Sequence, residues 1–243
     1  MYKKMSQAWL QHVRDEPDST EILSGTAGFL TSSEPLFAQR FLEGVADKEP
    51  KRRLTIYLAG ARLHAAIGAL IVHDPDAKRE SARQAMTILE EFSQKTPGGS
   101  GHRDWLEEMA RATTLAEDLR LASTNVAKLE DFAEGDVPGW TRNNLVHRTH
   151  TLRGQLAIIS GDRAEAERRL RQSARVGTSP QLSTFGPSTI LAQELLGLGV
   201  RKAVLEYFDA CSEIWAHGRD QLDEWRSAVG SGDKPILKPN VFY

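Results

Sequence analysis

Two histidines three residues apart are the side chains of this sequence best placed to do chemistry. His147 and His150 fall in a stretch with helical periodicity, where residues three apart share a face and two imidazoles could hold one metal ion. A zinc site needs at least a third ligand, and Asn143, Asn144 and Arg148 surround the pair without an Asp or Glu at helical spacing. This composition favours hydrogen-bonded histidines on a polar face. A metal-dependent enzyme using His147 and His150 remains the alternative.

Other catalytic signals are missing from the sequence. Cys211 is the single cysteine, which excludes an internal disulfide and a thiolate-rich zinc site. No His-Glu-x-x-His motif occurs, and no glycine-rich nucleotide loop follows a strand. Carboxylates such as Glu107 and Glu108 are adjacent, and adjacent residues on a helix diverge by about 100°. The sequence therefore favours a protein without catalytic activity, cofactor or metal.

Composition and charge describe an ordinary globular chain. Of the 243 residues, 40% are hydrophobic and 26% charged, with a net charge of −2. This balance predicts neither nucleic acid nor an anionic membrane as the partner. Neither a signal peptide nor an apolar run long enough for a membrane span is visible. We therefore expect a cytoplasmic protein.

Residues 140–218 contain two helical hairpins in one register. Each has a small residue within its first helix, a glycine at the turn, and a stripe on the return helix that packs inward. Five positions recur after 38 residues: Gly154 and Ala192, Gly161 and Gly199, Ala166 and Val204, Leu170 and Phe208, and Ser173 and Cys211. A shared register over five positions indicates an internal repeat. It also assigns Cys211 to a packing position.

These positions resemble the tetratricopeptide repeat. The departures are Arg153, which replaces the usual leucine, and a longer spacing, whose excess falls in the elbow, residues 178–187. The elbow, with Leu205–Phe208 and Cys211 after it, also resembles a group of bacterial helical-repeat proteins without an agreed function. The resemblance implies stacked antiparallel hairpins in a right-handed superhelix, with Gly154 at the contact between the two helices of its own hairpin.

The resemblance also implies a scaffold that holds a protein or peptide segment in a concave groove. Carried over by register, the groove-facing positions are Arg148, Thr151, Gln155, Gly186, Thr189 and Gln193, with His147 and His150 beside them. A second alternative, by analogy of fold, is an immunity-type partner that neutralises a co-encoded toxin.

The elbow is expected to set the angle between the hairpins. Pro180 and Pro187 fix two backbone turns, and Leu182 and Phe185 between them are costly to leave in water. The sequence predicts that both pack into the seam between the hairpins and that Pro187 lies in the first turn of the next helix.

The whole chain, residues 1–243, is predicted to be a single all-α domain. Its final residues, Val241, Phe242 and Tyr243, are apolar, so the tail is expected to dock on its own chain or on a second copy in a homo-oligomer. The predicted parts are short N-terminal helices in 1–50, a degenerate hairpin in 51–95, a long helix or helix pair in 102–134 with any break at 123–125, the two hairpins in 140–218, and a helix and tail in 219–243.

Overall fold

A computed structural model describes residues 2–16, isolated positions between 19 and 41, and residues 51–95, 102–215 and 217–237. No strand occurs among these residues, which confirms the predicted all-α class. Most of residues 17–50, in which short helices are predicted, lies outside the described residues, as do the linker at 96–101 and the apolar end of the tail. Contacts group the chain into two compact units, Met1–Ala116 and Glu117–Tyr243, while the single domain stays a prediction.

The first unit contains four described helices: α1 (Tyr2–Asp15), α2 (Lys51–Ile71), α3 (Pro75–Lys95) and α4 (His102–Leu115). Helices α2, α3 and α4 pack on one another. Alanines at 59, 61 and 66 are wholly buried on α2 and allow close approach of its neighbours. The indole of Trp105 donates a hydrogen bond of 2.9 Å to the carbonyl of Leu89, which joins α4 to α3.

The second unit contains seven described helices. They are α5 (Leu119–Glu134), α6 (Gly139–Ile159), α7 (Arg163–Ser173), α8 (Pro180–Phe185), α9 (Ile190–Gly197), α10 (Lys202–Ile214) and α11 (Arg219–Ser231). Helix α6 is central, because it packs against α5, α7, α8 and α9. Helix α7 also contacts α9 and α10, and α11 covers α10. The core between them includes Leu170, Leu191, Leu195, Tyr207, Phe208 and Trp225.

The two hairpin turns predicted from the 38-residue register have the same hydrogen bonding. Gly161 and Gly199 adopt left-handed backbone angles, with φ of 78° and 80°. After α6, the N–H groups of Gly161 and Asp162 bond to the carbonyls of Ile158 and Ala157. After α9, Gly199 and Val200 bond to Leu196 and Leu195 in the same pattern. Both helices thus end in a Schellman motif, which favours glycine at the left-handed position.

Related turns recur earlier in the chain at a spacing that the sequence analysis missed. His73, Glu117 and Gly161 have positive φ angles and are separated by 44 residues each. An aspartate follows each of them. Its carboxylate caps the next helix, accepting the N–H of Ala77, Leu121 or Glu165 at 3.0 Å. Local turn chemistry therefore repeats beyond the two predicted hairpins.

The break in the helical segment 102–134 lies earlier than expected. Helix α5 runs without interruption through Ser123, Thr124 and Asn125, so the predicted break at 123–125 is wrong. The chain turns instead at Glu117, whose φ is 62°, and Asp118 starts α5 as its N-cap. The carboxylate of Asp118 caps the start of α5, and the polar residues at 123–125 lie within the helix without ending it.

Gly154 marks a close contact between the two hairpins. A Cβ atom placed on it would overlap the side chain of Leu191, which is wholly buried on α9. The expectation that Gly154 faces the return helix of its own hairpin is therefore corrected. The nearest atoms belong to the first helix of the next hairpin, so this glycine sets the distance between α6 and α9.

We expect Gly154→Leu to lower the free energy of unfolding by about 1–3 kcal/mol, because the wholly buried Leu191 side chain would have to shift within the core. Urea denaturation followed by circular dichroism measures this loss. Gly68→Leu is the matched control, since Gly68 lies in α2 with no atom within 4 Å of an added Cβ. The control should stabilise by up to about 1 kcal/mol through helix propensity. Equal effects of the two substitutions would contradict the close contact.

Candidate functional site

His147 is buried, with only 2% of its surface exposed, and both of its ring nitrogens are engaged. Its Nε2 accepts the N–H of Ser188 at 2.8 Å. The proton therefore resides on Nδ1, which donates to the carbonyl of Ser173 at 2.7 Å. One neutral imidazole on α6 thus joins the end of α7 to the segment before α9.

Burial lowers the pKa of His147 from 6.5 to about 4, with smaller contributions in the same direction from Arg148 and His150. The hydrogen bond to Ser173 opposes this decrease. At neutral pH the ring is uncharged and its lone pair is used by Ser188. The Ser188 carbonyl in turn accepts the hydroxyl of Tyr207 at 2.7 Å, so both backbone polar groups of Ser188 are hydrogen-bonded. This geometry fits a structural role.

His150 lies in a different environment. Its Nδ1 is 3.1 Å from Nη1 of Arg169, which can only donate, so Nδ1 is an acceptor. Burial and the Arg169 charge lower the pKa of His150. A metal bound by the pair would have to displace the backbone partner of His147 and the guanidinium at His150. Within the described residues, no group of three His, Cys, Asp or Glu side chains could hold a metal ion.

Cys211 is also a packing residue. Its side chain is 1% exposed in the core of the second unit, among the residues that surround Phe208. Burial raises the pKa of the Cys211 thiol above its ordinary range. A buried thiol with a raised pKa is neither nucleophilic nor accessible.

The elbow is attached to α6 by amide side chains. Asn143 donates to the carbonyl of Thr178 at 2.8 Å. Asn144 accepts the hydroxyl of Ser179 and donates to Gln181 at 3.1 Å. Ser179 also caps α8, because its hydroxyl oxygen accepts the N–H of Leu182 at 3.0 Å. These bonds hold the elbow as an ordered part of the second unit.

Only one of the two apolar elbow residues is buried. Leu182 is wholly buried, whereas Phe185 is 47% exposed, so the prediction that both form a wedge is wrong for Phe185. Pro180 lies in the first turn of α8, and Pro187 precedes α9, which begins at Ile190. The prediction for Pro187 is therefore also wrong. Gly186, with φ of 86°, turns the chain against the Trp215 ring, where a Cβ would overlap it.

Most of the predicted groove positions are covered by neighbouring elements. Arg148, Thr151, Gln155, Thr189 and His147 are all buried, with at most 8% of their surface exposed. Helix α6 contacts four other helices, so its face bearing Thr151 and Gln155 is an interior face. Gln155 donates to Glu194 on α9 at 2.9 Å, and Gln193 accepts the N–H of Leu237 at 2.7 Å. The groove assigned by register is therefore not an open surface at these positions.

A cleft of about 490 Å³ lies on another side of α6, between α5 and α7. Its apolar part is formed by Leu119, Leu156 and Ala157, and Ser123 and Ser160 lie beside them. The remaining lining residues are charged: Glu130, Arg153, Asp162, Glu165 and Arg169. Sequence reasoning missed this cleft, although the replacement of leucine by Arg153 in the repeat was a signal of it.

The charged residues of the cleft form two sets of ion pairs. Arg153 binds Glu130 through two hydrogen bonds, of 3.0 Å from Nε and 2.5 Å from Nη2. Glu165 accepts from both Arg168 and Arg169. These bonds lower the pKa of Glu165 to about 2, so it stays ionised at neutral pH. Fixed charges of both signs beside an apolar floor can bind a segment that has polar and apolar groups.

Comparisons of the chain with protein-family models, curated proteins and solved structures give no match. The described residues therefore define an all-α protein, in which α6 and α9 end in turns of the same hydrogen-bond pattern and a charged cleft lies beside α6. None of the described helices combines the length and the apolar character that crossing a membrane requires.

Proposed function

We propose that the protein is a non-catalytic helical-repeat binding module that holds a segment of a partner protein in the cleft between α5, α6 and α7. The observation that carries this proposal is the cleft itself, which combines an apolar floor with ion-paired walls. Its volume, about 490 Å³, is in the range of clefts that bind small ligands or a few side chains.

We assign the hairpins to a tetratricopeptide-like right-handed superhelix. The support is the repeated turn: the Schellman motifs at Gly161 and Gly199 share one hydrogen-bond pattern, 38 residues apart. Further support comes from helix order, because α6 packs against its return helix α7 and against α9, the first helix of the next hairpin. Repeats of this kind bury their apolar faces on neighbours and leave a surface for a partner.

The side chains that could do chemistry are already used in structural contacts, which agrees with a binding role. His147 holds two backbone groups and Cys211 is buried in the core. The cleft, in contrast, presents the ion-paired guanidinium groups of Arg153 and Arg169, whose remaining N–H groups are suited to carboxylates and peptide carbonyls. Recognition through preformed ion pairs costs less side-chain ordering than recognition through free side chains.

Ser160→Trp tests the proposal by filling the cleft. Ser160 is exposed, lines the cleft and ends α6 with φ of −81° and ψ of −2°, angles that any residue adopts. Leu198→Trp is the matched control, because Leu198 lies 38 residues later at the end of α9, with φ of −79° and ψ of 2°, and does not line the cleft. Both variants should fold like the natural protein.

The binding probe is a peptide selected from a phage-displayed library on the natural protein. We expect the peptide to bind the natural protein and Leu198→Trp with similar affinity, and to bind Ser160→Trp at least tenfold more weakly, as measured by fluorescence anisotropy. Undiminished binding to Ser160→Trp, or a failure of the natural protein to enrich any peptide, would overturn the proposal.

A further inference from the structure

The segment after α11 lies on α9 as a non-helical strap. We define the strap as residues 233–237. The side chain of Leu237 is wholly buried in the core of the second unit, and its N–H donates to Oε1 of Gln193 at 2.7 Å. The ammonium of Lys234 donates to the carbonyl of Gly197 at 3.0 Å. That carbonyl belongs to the last residue of α9, where the helix dipole favours a cation.

The repeat register shows which position the strap occupies. Gln155 and Gln193 are equivalent, being 38 residues apart on the first helix of each hairpin. Gln155 bonds to Glu194 on the next hairpin, while Gln193 bonds to the backbone of the strap. The strap therefore gives Gln193 the hydrogen-bond partner that the next hairpin gives Gln155.

The contacts of the strap use only part of its sequence. Lys234 and Leu237 bind α9, whereas Ile236 between them is 65% exposed. The surface thus recognises a lysine, a leucine three residues later and the N–H of that leucine. We propose that this α9 surface is a docking site for a Lys-x-x-Leu segment, that the chain's own strap occupies it, and that release of the strap opens it to the same segment supplied in trans.

The strap is held by contacts that can be released. One side chain, Leu237, is buried, and the hydrogen bond from Lys234 lies at an exposed position. Gly232, with φ of 102°, connects the strap to α11 and is tied by its carbonyl to Arg201. Because the strap is tethered, its effective concentration is high, and a free segment competes only when the strap is displaced. This site is separate from the proposed cleft, whose lining includes none of these residues.

The test uses the full chain and a fluorescein-labelled peptide of residues 233–243. Leu237→Asp places a carboxylate in the apolar core and expels the strap. We expect the peptide to bind Leu237→Asp at least tenfold more tightly than it binds the natural protein, as measured by fluorescence anisotropy. Ile236→Asp is the matched control, because it adds the same charge at an exposed position and leaves the strap docked. This variant should bind the peptide as weakly as the natural protein does.

A peptide that carries Leu237→Asp should not bind the released protein. Adding Gln193→Ala to the Leu237→Asp protein should weaken binding of the natural peptide several-fold. If Leu237→Asp does not fold by circular dichroism, Lys234→Ala combined with Leu237→Ala releases the same contacts without a buried charge and is read in the same way. Equal affinity of the peptide for the natural and released proteins, or no binding to a folded released variant, overturns the proposal. Neither result depends on the cleft variant Ser160→Trp.

Discussion

Leu182→Ala is expected to lower the free energy of unfolding by about 2–5 kcal/mol, because it leaves a cavity where a wholly buried side chain packs. Leu182 is the apolar anchor of α8, a helix that contacts α6 and is capped by Ser179. Losing it should loosen the elbow and with it the attachment of α9 to α6.

Phe185→Ala is the matched comparison within the same short helix. With 47% of its surface in water, Phe185 should contribute about 1 kcal/mol or less. Urea denaturation of both variants separates the two residues. A larger loss for Phe185→Ala than for Leu182→Ala would show that the elbow packs through the phenylalanine and would contradict the structure of α8.

Acidification below pH 6.5 should destabilise the natural protein through His147. The pKa of His147 is lowered by burial to about 4 in the folded state, against 6.5 when unfolded, so the unfolded chain takes up a proton first. The stability from neutral His147 is complete above pH 6.5 and is lost as the pH falls from 6.5 to about 4. The loss between pH 7.5 and 5.0 should be about 2 kcal/mol.

His147→Gln should remove most of this pH dependence. The variant is less stable at pH 7.5, because glutamine does not reproduce both hydrogen bonds, but its stability should change less between pH 7.5 and 5.0. Glu165 does not contribute to the change between pH 7.5 and 5.0. Its pKa is lowered from 4.5 to about 2, so the stability that its ionised form provides is lost only below pH 4.5. His150→Gln measures how much of the pH dependence comes from His150, whose pKa is also lowered. An unchanged pH dependence in His147→Gln would contradict the buried, neutral imidazole.

The helical turns were the part of the fold best predicted from the sequence. Gly161 and Gly199 are glycines at positions where the backbone requires a positive φ, so residue type and geometry agree. The related turn at His73 lies within the hairpin predicted for 51–95, whereas the turn at Glu117 was not predicted, because a positive φ is uncommon for a residue other than glycine. The aspartates that follow, Asp74 and Asp118, carried the available signal as helix caps.

The site was predicted less well because exposure depends on how many elements surround a helix. The register assigned Thr151 and Gln155 to a groove, but α6 is surrounded by α5, α7, α8 and α9, which leaves that face inside. Leu182 and Phe185 are both apolar and three residues apart, so hydrophobicity alone does not separate them. Phe185 is exposed at the last position of α8, where Gly186 turns the chain away.

Hydrogen–deuterium exchange of the natural protein with and without its selected peptide tests the binding proposal most directly. The proposal predicts slower exchange on binding in the residues that form the cleft, within 119–130, 153–162 and 163–169. It predicts no change in α10 and α11, which contribute no residue to the cleft. Protection confined to α10 and α11, with the cleft segments unchanged, would contradict the assignment of the cleft as the binding site.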